Sequence, residues 1–557
     1  MSALVLMVLG LGAFTAGYLL YSRFISEHIF RLDSEFRTPA HVQEDGVDFV
    51  PTNRWVLWGH HFTSVAGAAP IVGPAIAVIW GWLPAFLWVT LGTVFFAGIH
   101  DAGALWASVR NEGKSIGALT ESVVGQRARS LFMIIIFLLL LMVNAVFAIL
   151  IARLFVQYPT SVIPAWFVIA VAVTIGYLLY RRGVALLWPS IIGVTLLYAS
   201  MFVGNEVPLS LPESVFGLGP AGIWVVILFT YAAIASLLPV WLLLQPRDYI
   251  NGLQLFIGLG IFFLAVLIAR PDIVAPMINS SVPEDVPSLI PLLFVTIACG
   301  ACSGFHGLVS SGTTSKQVDN EKDVRFVGFL GTVGEGSLAL AAIIACTAGF
   351  ATLGDWEGYY TSFGAGGLDA FVQGGGVILA SIPGISESFG QTLLAVMAIL
   401  FAATTMDTGV RLQRYIVQEA GTIYDIPALT GKGLSTVLAV VCCLALAFGS
   451  GGGGEGGLII WPLFGTTNQL LAALTLLVLS VFLLKQGRPT VYTLAPFSFL
   501  LFMTVWALLT QLRSFYETEQ YFLLGLDAVI LVTAIWVGLE SLSALRKAAS
   551  ESSESSA

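Results

Sequence analysis

Apolar residues in this chain fall into long runs, with neither the alternation of a half-buried strand nor the one-sided stripe of a soluble helix. Fifteen runs are readable, at about 3-22, 54-80, 82-107, 129-153, 163-181, 185-203, 221-243, 251-270, 290-312, 324-350, 389-409, 434-449, 457-484, 490-510 and 520-544. A bilayer-crossing helix needs roughly 20 predominantly apolar residues. A helix also pairs its backbone groups internally, as hydrocarbon requires. The pattern predicts an all-α polytopic membrane protein with about 15 transmembrane helices. Between the runs, residues 113-125 (GKSIGALTESVVG) have the pattern of a short amphipathic helix on the inner face. The segment 351-388 has no Lys or Arg and reads as an external loop with a surface or re-entrant piece around Val377 to Ile385. The tail SESSESSA reads as disordered.

Composition agrees. Of 557 residues, 57% are hydrophobic and 10% charged, against about 25% charged in soluble domains, and the mean hydropathy is +0.90. Such a chain cannot cover a water-exposed surface of its size, and nothing in it suggests a nucleic-acid partner. The run Leu4 to Tyr21 has no basic residue before it, Arg23 after it and no small-x-small cleavage pattern, so it reads as a retained span with its N-terminus outside. Alternating from there, 21 of the 24 Lys and Arg fall inside and three (Arg153, Arg270, Arg513) outside. That asymmetry supports the span count and a C-terminus inside. The five cysteines all lie in apolar runs and read as small core residues, not a disulfide framework.

Polar residues at bilayer depth are costly and mark pathways. His60, His61, His100, Asp101, His306, Glu335 and Asp407 stand out, with Ser303, Ser310, Ser311, Thr313, Thr314, Asn468 and Gln469 around them. Interhelical hydrogen bonds account for many isolated Ser and Thr, at about 0.6 kcal/mol each, but not for His, Asp and Glu spread over several spans. The stretch GHHFTSVAGAAPIVGP (Gly59 to Pro74) puts helix breakers inside a span. Irregular backbone survives there only where it is buried in protein or lines a cavity, and a broken helix offers positive N-terminal and negative C-terminal ends to a ligand. Residues 231-251 (YAAIASLLPVWLLLQPRDYIN) form a second candidate interruption, at Pro239. Counted in fives from residue 54, the two candidates open successive groups. That predicts a LeuT-like five-plus-five inverted repeat with discontinuous helices. The expected units are 1-53 (N-terminal span and cytoplasmic loop), 54-203 and 204-410 (the two repeats), 411-545 (about four extra C-terminal helices) and 546-557 (disordered tail).

The motifs GHHFTSVAGAAPIVGP, SLLPVWLLLQPRDY, ACGACSGFHGLVSSGTTSK and WPLFGTTNQLLA, with Glu335 in GEGSLA and Asp407 in TTMDTGVRLQR, closely resemble the carbon-starvation (CstA-type) transporter family from about residue 55 to 475. The resemblance implies a secondary transporter that imports peptides or pyruvate by alternating access, with no cofactor and a proton as coupling ion, sodium being the alternative. It also implies a small-molecule substrate and the lipid bilayer as partners. The expected substrate site is His60, His61, Ser64, Gly67, Ala68, Ser303 and His306. Asp101, Glu335 and Asp407 are the expected proton carriers, with Arg411 and Arg414 near enough in sequence to pair with Asp407. In a LeuT-like fold paired hydroxyls of the eighth core span help bind sodium beside the first broken helix. By that resemblance Ser310 and Ser311, with the Val65 and Ala66 carbonyls, form the candidate cation site. Three rival readings exist: an intramembrane enzyme with a nucleophile at Ser450 (FGSGG), a zinc site from Cys299, Cys302, His306, His60 and His61, and a channel. No matched histidine span accompanies Ser450, a CxxC on a continuous helix splays its thiols, and two broken helices favour alternating access over a pore. The expectation is therefore no enzyme and no metal. A carboxylate-bearing substrate suits a half-helix N-terminus and histidines.

Overall fold

The computed structural model describes residues 1–557 apart from 47, 124, 183–186, 216, 240–241, 365–366, 450–455 and 556–557. Ser450 therefore lies outside the described residues. Among the described residues the fold is helical, without β-strands.

The chain first crosses as α1 (Ala3–Ile29) and then as a bent pair, α2 (Arg54–Ala66) and α3 (Ala69–Trp80), whose axes differ by 48°. α4 (Trp82–Arg110) returns, and α5 (Ile116–Val123) is the short amphipathic helix expected near 113-125. Then come α6 (Gln126–Gln157), α7 (Val162–Arg182), α8 (Leu187–Glu206), α9 (Pro220–Leu237) and α10 (Leu244–Ala269). A second split span follows, α11 (Leu289–Thr296) and α12 (Gly304–Gly312), and then α13 (Arg325–Ala348). α14 (Leu353–Tyr359) and α15 (Gly367–Leu379) fill the segment expected to be an external loop, and α16 (Glu387–Ile423), α17 (Lys432–Gly449), α18 (Gly456–Lys485), α19 (Val491–Glu517) and α20 (Tyr521–Ser555) complete the chain. Among the described residues thirteen helices are long and apolar enough to cross a membrane. The pairs α2–α3 and α11–α12 account for the other two expected spans.

Burial separates the interior from the lipid-facing shell. The most apolar windows of α16 and α18 are each 89% buried and that of α6 is 78%, whereas α8, α17, α19 and α20 lie between 33% and 39%. A helix apolar all round and buried belongs to the core, so α6 and α16, of 32 and 37 residues, form the scaffold beside the two interrupted spans.

Three expectations are corrected. The second interruption is not at Pro239. α9 ends at Leu237 because Leu238, the residue before that proline, is held extended (ψ 152°), and α10 restarts at Leu244 with Pro246 in its first turn, where a missing N–H costs nothing. Pro239 thus lies between two spans. The break falls instead inside the expected span 290-312, where residues 297–303 leave the helix and Gly300 adopts φ +90°, a conformation side chains disfavour. Finally, α20 runs on to Ser555 rather than giving way to a disordered tail at 546, since no proline interrupts its Ala-, Leu- and Glu-containing sequence.

Candidate functional site

The two interruptions cross each other. In the first, Gly67 (φ +47°) separates α2 from α3. A Cβ on Gly73 of α3 would stand 2.5 Å from the Thr296 carbonyl oxygen, and one on Gly300 would stand 3.5 Å from Pro70 Cα. The N-terminal ends of α3 and α12 therefore meet near the crossing, a setting that favours anionic groups.

Backbone groups freed at membrane depth need partners. At the second interruption side chains supply them. Trp461 Nε1 donates to Thr296 O (3.4 Å), Trp88 Nε1 to Ile297 O (3.1 Å) and Thr93 Oγ1 to Gly300 O (3.0 Å). The Phe305 N–H, in the first turn of α12, donates to Asn468 Oδ1 (3.0 Å), while Asn468 Nδ2 donates to Ser303 Oγ (3.0 Å) and to Cys299 Sγ (3.1 Å). Ser303, expected to bind substrate, is thereby tied to α18.

Beside this crossing lies a buried centre built from three helices. His306 on α12 stands between two carboxylates, its Nδ1 2.7 Å from Asp101 Oδ2 on α4 and its Nε2 3.2 Å from Glu335 Oε1 on α13. His100 Nδ1 is 2.7 Å from the other Asp101 oxygen. Glu335 also faces the Gly300 backbone, which places the centre beside the interruption. All four side chains are at most 1% exposed. His61 on α2 lies against Gly331, one turn before Glu335. Its Nδ1 is 3.0 Å from Thr314 Oγ1, and its Nε2 has no partner among the described residues. His60 is only half-buried; adjacent helical residues point about 100° apart, so the two histidines do not share a site.

The remaining expected residues divide. Ser64, Val65 and Ala66 are buried in the last turn of α2, and Ala68 in the crossing. Ser311 Oγ donates to Gly307 O (2.6 Å) and accepts from Ile116 N (2.9 Å), which engages its proton and one lone pair, whereas Ser310 Oγ has no partner among the described residues. Thr405 on α16, not singled out from the sequence, stands closest to the break: its Oγ1 would be 2.7 Å from a Cβ on Gly67, and it too lacks a partner. Asp407 does not join the His306 centre. Two residues after Thr405, it faces about 200° round the helix, where it pairs with Arg247 of α10 and accepts from Tyr231 Oη (2.9 Å). Nor does it pair with Arg411 or Arg414. Arg411 donates to Ala235 O and Leu238 O (both 2.8 Å) and Arg414 to Ser236 O (2.6 Å), so both cap the end of α9 that Pro239 terminates. Among the described residues no three of His, Cys, Asp and Glu are placed to hold a metal ion.

A structure of a manganese transporter from Eremococcus coleocola overlays with a TM-score of 0.53 at 13% identity, over 90% of this chain and 99% of that one. The fold is LeuT-like. A peptide transporter CstA from Campylobacter jejuni is 32% identical over 93% of this chain and 81% of its own length. The pyruvate/proton symporter BtsT of Escherichia coli is 30% identical over 93% of this chain and 84% of its own. The model of the carbon starvation protein CstA family matches residues 2–353 and 357–507. This chain therefore belongs to that family, a multi-pass membrane transporter and not an enzyme.

Proposed function

We propose that the protein is a proton-coupled symporter that imports small carboxylate-bearing nutrients, peptides or pyruvate, across the cytoplasmic membrane by alternating access, with its N-terminus outside and its C-terminus inside. The observation that carries this reading is the placement of His306 between Asp101 and Glu335 beside the crossed interruptions. With both carboxylates ionised, a doubly protonated ring is hydrogen-bonded to Asp101 and ion-paired with Glu335. With a neutral ring, one carboxyl must itself carry the proton. The three groups therefore titrate as a unit, and a proton gained or lost at one changes the hydrogen bond at the next. The link from Glu335 to Gly300 carries that change to the backbone where α11 and α12 part. The positive end of α3, at the first break, suits the substrate carboxylate. That a similar protein is named a pyruvate/proton symporter supports the proton as coupling ion.

The repeats, on this reading, start at the interruptions themselves, at Arg54 and Leu289, rather than at 54 and 204. Each start is followed by one long span, one or two short helices (α5; α14 and α15), and then one of the scaffold helices, α6 or α16.

Uptake into proteoliposomes under an imposed pH gradient, screened with pyruvate, amino acids, dipeptides and tripeptides, tests the proposal. Accumulation of at least one carboxylate-bearing solute is expected with the gradient and not without it. The second reading, a sodium-coupled symporter, is favoured by one observation, the unpartnered Thr405 hydroxyl beside Gly67 and the end of α2. Accumulation driven by sodium and indifferent to pH would select it.

A further inference from the structure

A second polar centre lies on the opposite side of α16 from the crossing. Arg247, Asp248, Asn251 and Gln254 occupy one stripe of α10, at i, i+1, i+4 and i+7, and each is at most 1% exposed. The stripe runs about 10 Å along the helix from its inner end toward the bilayer interior. Some of its groups are paired. Asn251 Nδ2 donates to Thr404 Oγ1 of α16 (2.9 Å), and Arg247 Nη1 donates to Tyr231 Oη (2.7 Å) and to Asp407. Eight buried polar atoms here have no hydrogen-bond partner among the described residues: Arg247 Nε and Nη2, both Asp248 oxygens, Asn251 Oδ1, both Gln254 side-chain atoms and Asp407 Oδ1. Arg247 Nη2 and Asp248 Oδ1 stand 3.8 Å apart, an ion pair beyond hydrogen-bonding reach. The other cations nearby, Arg411 and Arg414, are turned to the carbonyls at the end of α9.

Such a row is too polar to be dry, since a buried polar group left unpaired is destabilising by about 1–3 kcal/mol. Its chemistry restricts the occupant. Three of the eight atoms are donors and five are acceptors, interleaved along two turns. An anion satisfies only the donors and a metal cation only the acceptors, whereas water satisfies both. A void of ≈ 20 Å³ touches the row at its Arg247 end, where Tyr231 also lines it; its other walls, Leu400 and Ala403 among them, are apolar or aromatic, and it has room for about one water molecule.

We propose that the α10–α16 interface binds a short file of water molecules and that Asp248 exchanges a proton with it, forming a protonatable site separate from the His306 centre. In the exchange the Asp248 O–H bond breaks and the proton passes to the adjacent water oxygen. The carboxylate is left beside Arg247, and the reverse step reloads it. Asp248 is the member of the stripe suited to this role, because Asp407 is already committed to Arg247 and Tyr231.

Infrared difference spectra of the full-length purified protein, acid minus alkaline, test the proposal without reference to transport. The C=O stretch of a protonated buried carboxyl should appear, shift on transfer to D₂O, and be lost in Asp248→Asn while persisting in Glu335→Gln. Asp248→Glu should displace the band without abolishing it, which keeps the test sharp should the asparagine variant fold poorly. Gln254→Leu, which interrupts the file, should slow deuterium exchange of the band at least ten-fold. A band unaltered in both Asp248 variants, the absence of any Asp248-dependent band between the acid and alkaline limits, or exchange unslowed in Gln254→Leu would overturn it.

Discussion

Glu335→Gln isolates the proton from the shape of the site. Glutamine has nearly the same volume. Its Oε1 still faces the Gly300 backbone, and its Nε2 can reach across the 3.2 Å to His306 Nε2 when the ring is neutral. What is lost is one charge-assisted contact, replaced by a neutral one. Net values of about 1.5–3 and 0.5–1.5 kcal/mol for the two kinds put the loss of stability at about 1–2 kcal/mol, too little to unfold the protein. The functional effect should be far larger. A gradient of one pH unit stores about 1.4 kcal/mol per proton and sustains about a ten-fold solute gradient in a one-to-one symport. If Glu335 carries the coupled proton, accumulation by the variant should fall from about ten-fold to parity. Counterflow, the exchange of labelled for unlabelled substrate with no net coupling, should continue. Proteoliposomes measure both. Ten-fold accumulation retained in Glu335→Gln refutes the assignment, and loss of counterflow together with accumulation shows that the residue serves binding rather than coupling.

Further outcomes follow from the same geometry. His61→Ala should lower uptake at least ten-fold, because the ring is buried against Gly331 with Nε2 unpaired, whereas His60→Ala should stay within about two-fold; radiolabelled uptake normalised to folded protein reads the difference, and the reverse order would place the wrong histidine at the site. Gly73→Ala brings a Cβ to 2.5 Å from the Thr296 carbonyl, a backbone overlap that should destabilise by about 3 kcal/mol or more, seen as an early melt in detergent. Asp407→Leu leaves Arg247 buried with only Tyr231 and, at 3.8 Å, Asp248 beside it and should cost about 3 kcal/mol, while adding Arg247→Met should restore much of the loss; absence of rescue would show that the pair is not what holds the two helices together. Cysteine at Lys316 should label only from the inside and cysteine at Tyr359 only from the outside, and labelling of Tyr359→Cys from the inside alone would reverse the orientation.

Span positions were legible because length and hydropathy decide them almost alone. The interior arrangement was not, and particular residues show why. Prolines are the strongest breakers visible in a sequence, so Pro239 stood out, yet it ends one helix at Leu237 and leaves the next to begin at Leu244. The true second break carries no proline between residues 297 and 303; its signal is the run of small residues around Gly300, the sort of run that also allows ordinary close packing of membrane helices. Asp407 has Arg411 one turn away on the same face, a pairing that local sequence favours. Arg411 is drawn off by carbonyls at the end of α9, and the partner of Asp407 lies 160 residues away on α10. Arg247 itself read as a loop cation, since proximity to the end of a span conceals whether a side chain turns toward water or toward the core. Asp101, His306 and Glu335 could be singled out one by one as ionisable residues at membrane depth. That a single imidazole joins two of the carboxylates was a fact of packing between three helices.

The two interruptions are not equivalent, and the difference bears on where a ligand binds. Around the second, the freed carbonyls of Thr296, Ile297 and Gly300 each receive a side-chain donor from α18 or α4. That break is closed by protein and has little left to offer a substrate except its link to Glu335. Around the first, no side chain among the described residues donates to the carbonyls of Thr63 to Ala66, and the nearest hydroxyl, Thr405 Oγ1, is itself unpartnered. Backbone acceptors at membrane depth are stable only if something completes them. The first break therefore has the unmet bonding capacity, and the second has the titratable centre. Gly73 and Gly300 hold the two in van der Waals contact, so on the proposed reading a ligand bound at the first break bears on the segment beside Glu335. Such contact between an ordered ligand and a shared proton is what a coupled transporter requires. Loosening it, with Glu335 intact, should uncouple uptake as effectively as removing the carboxylate.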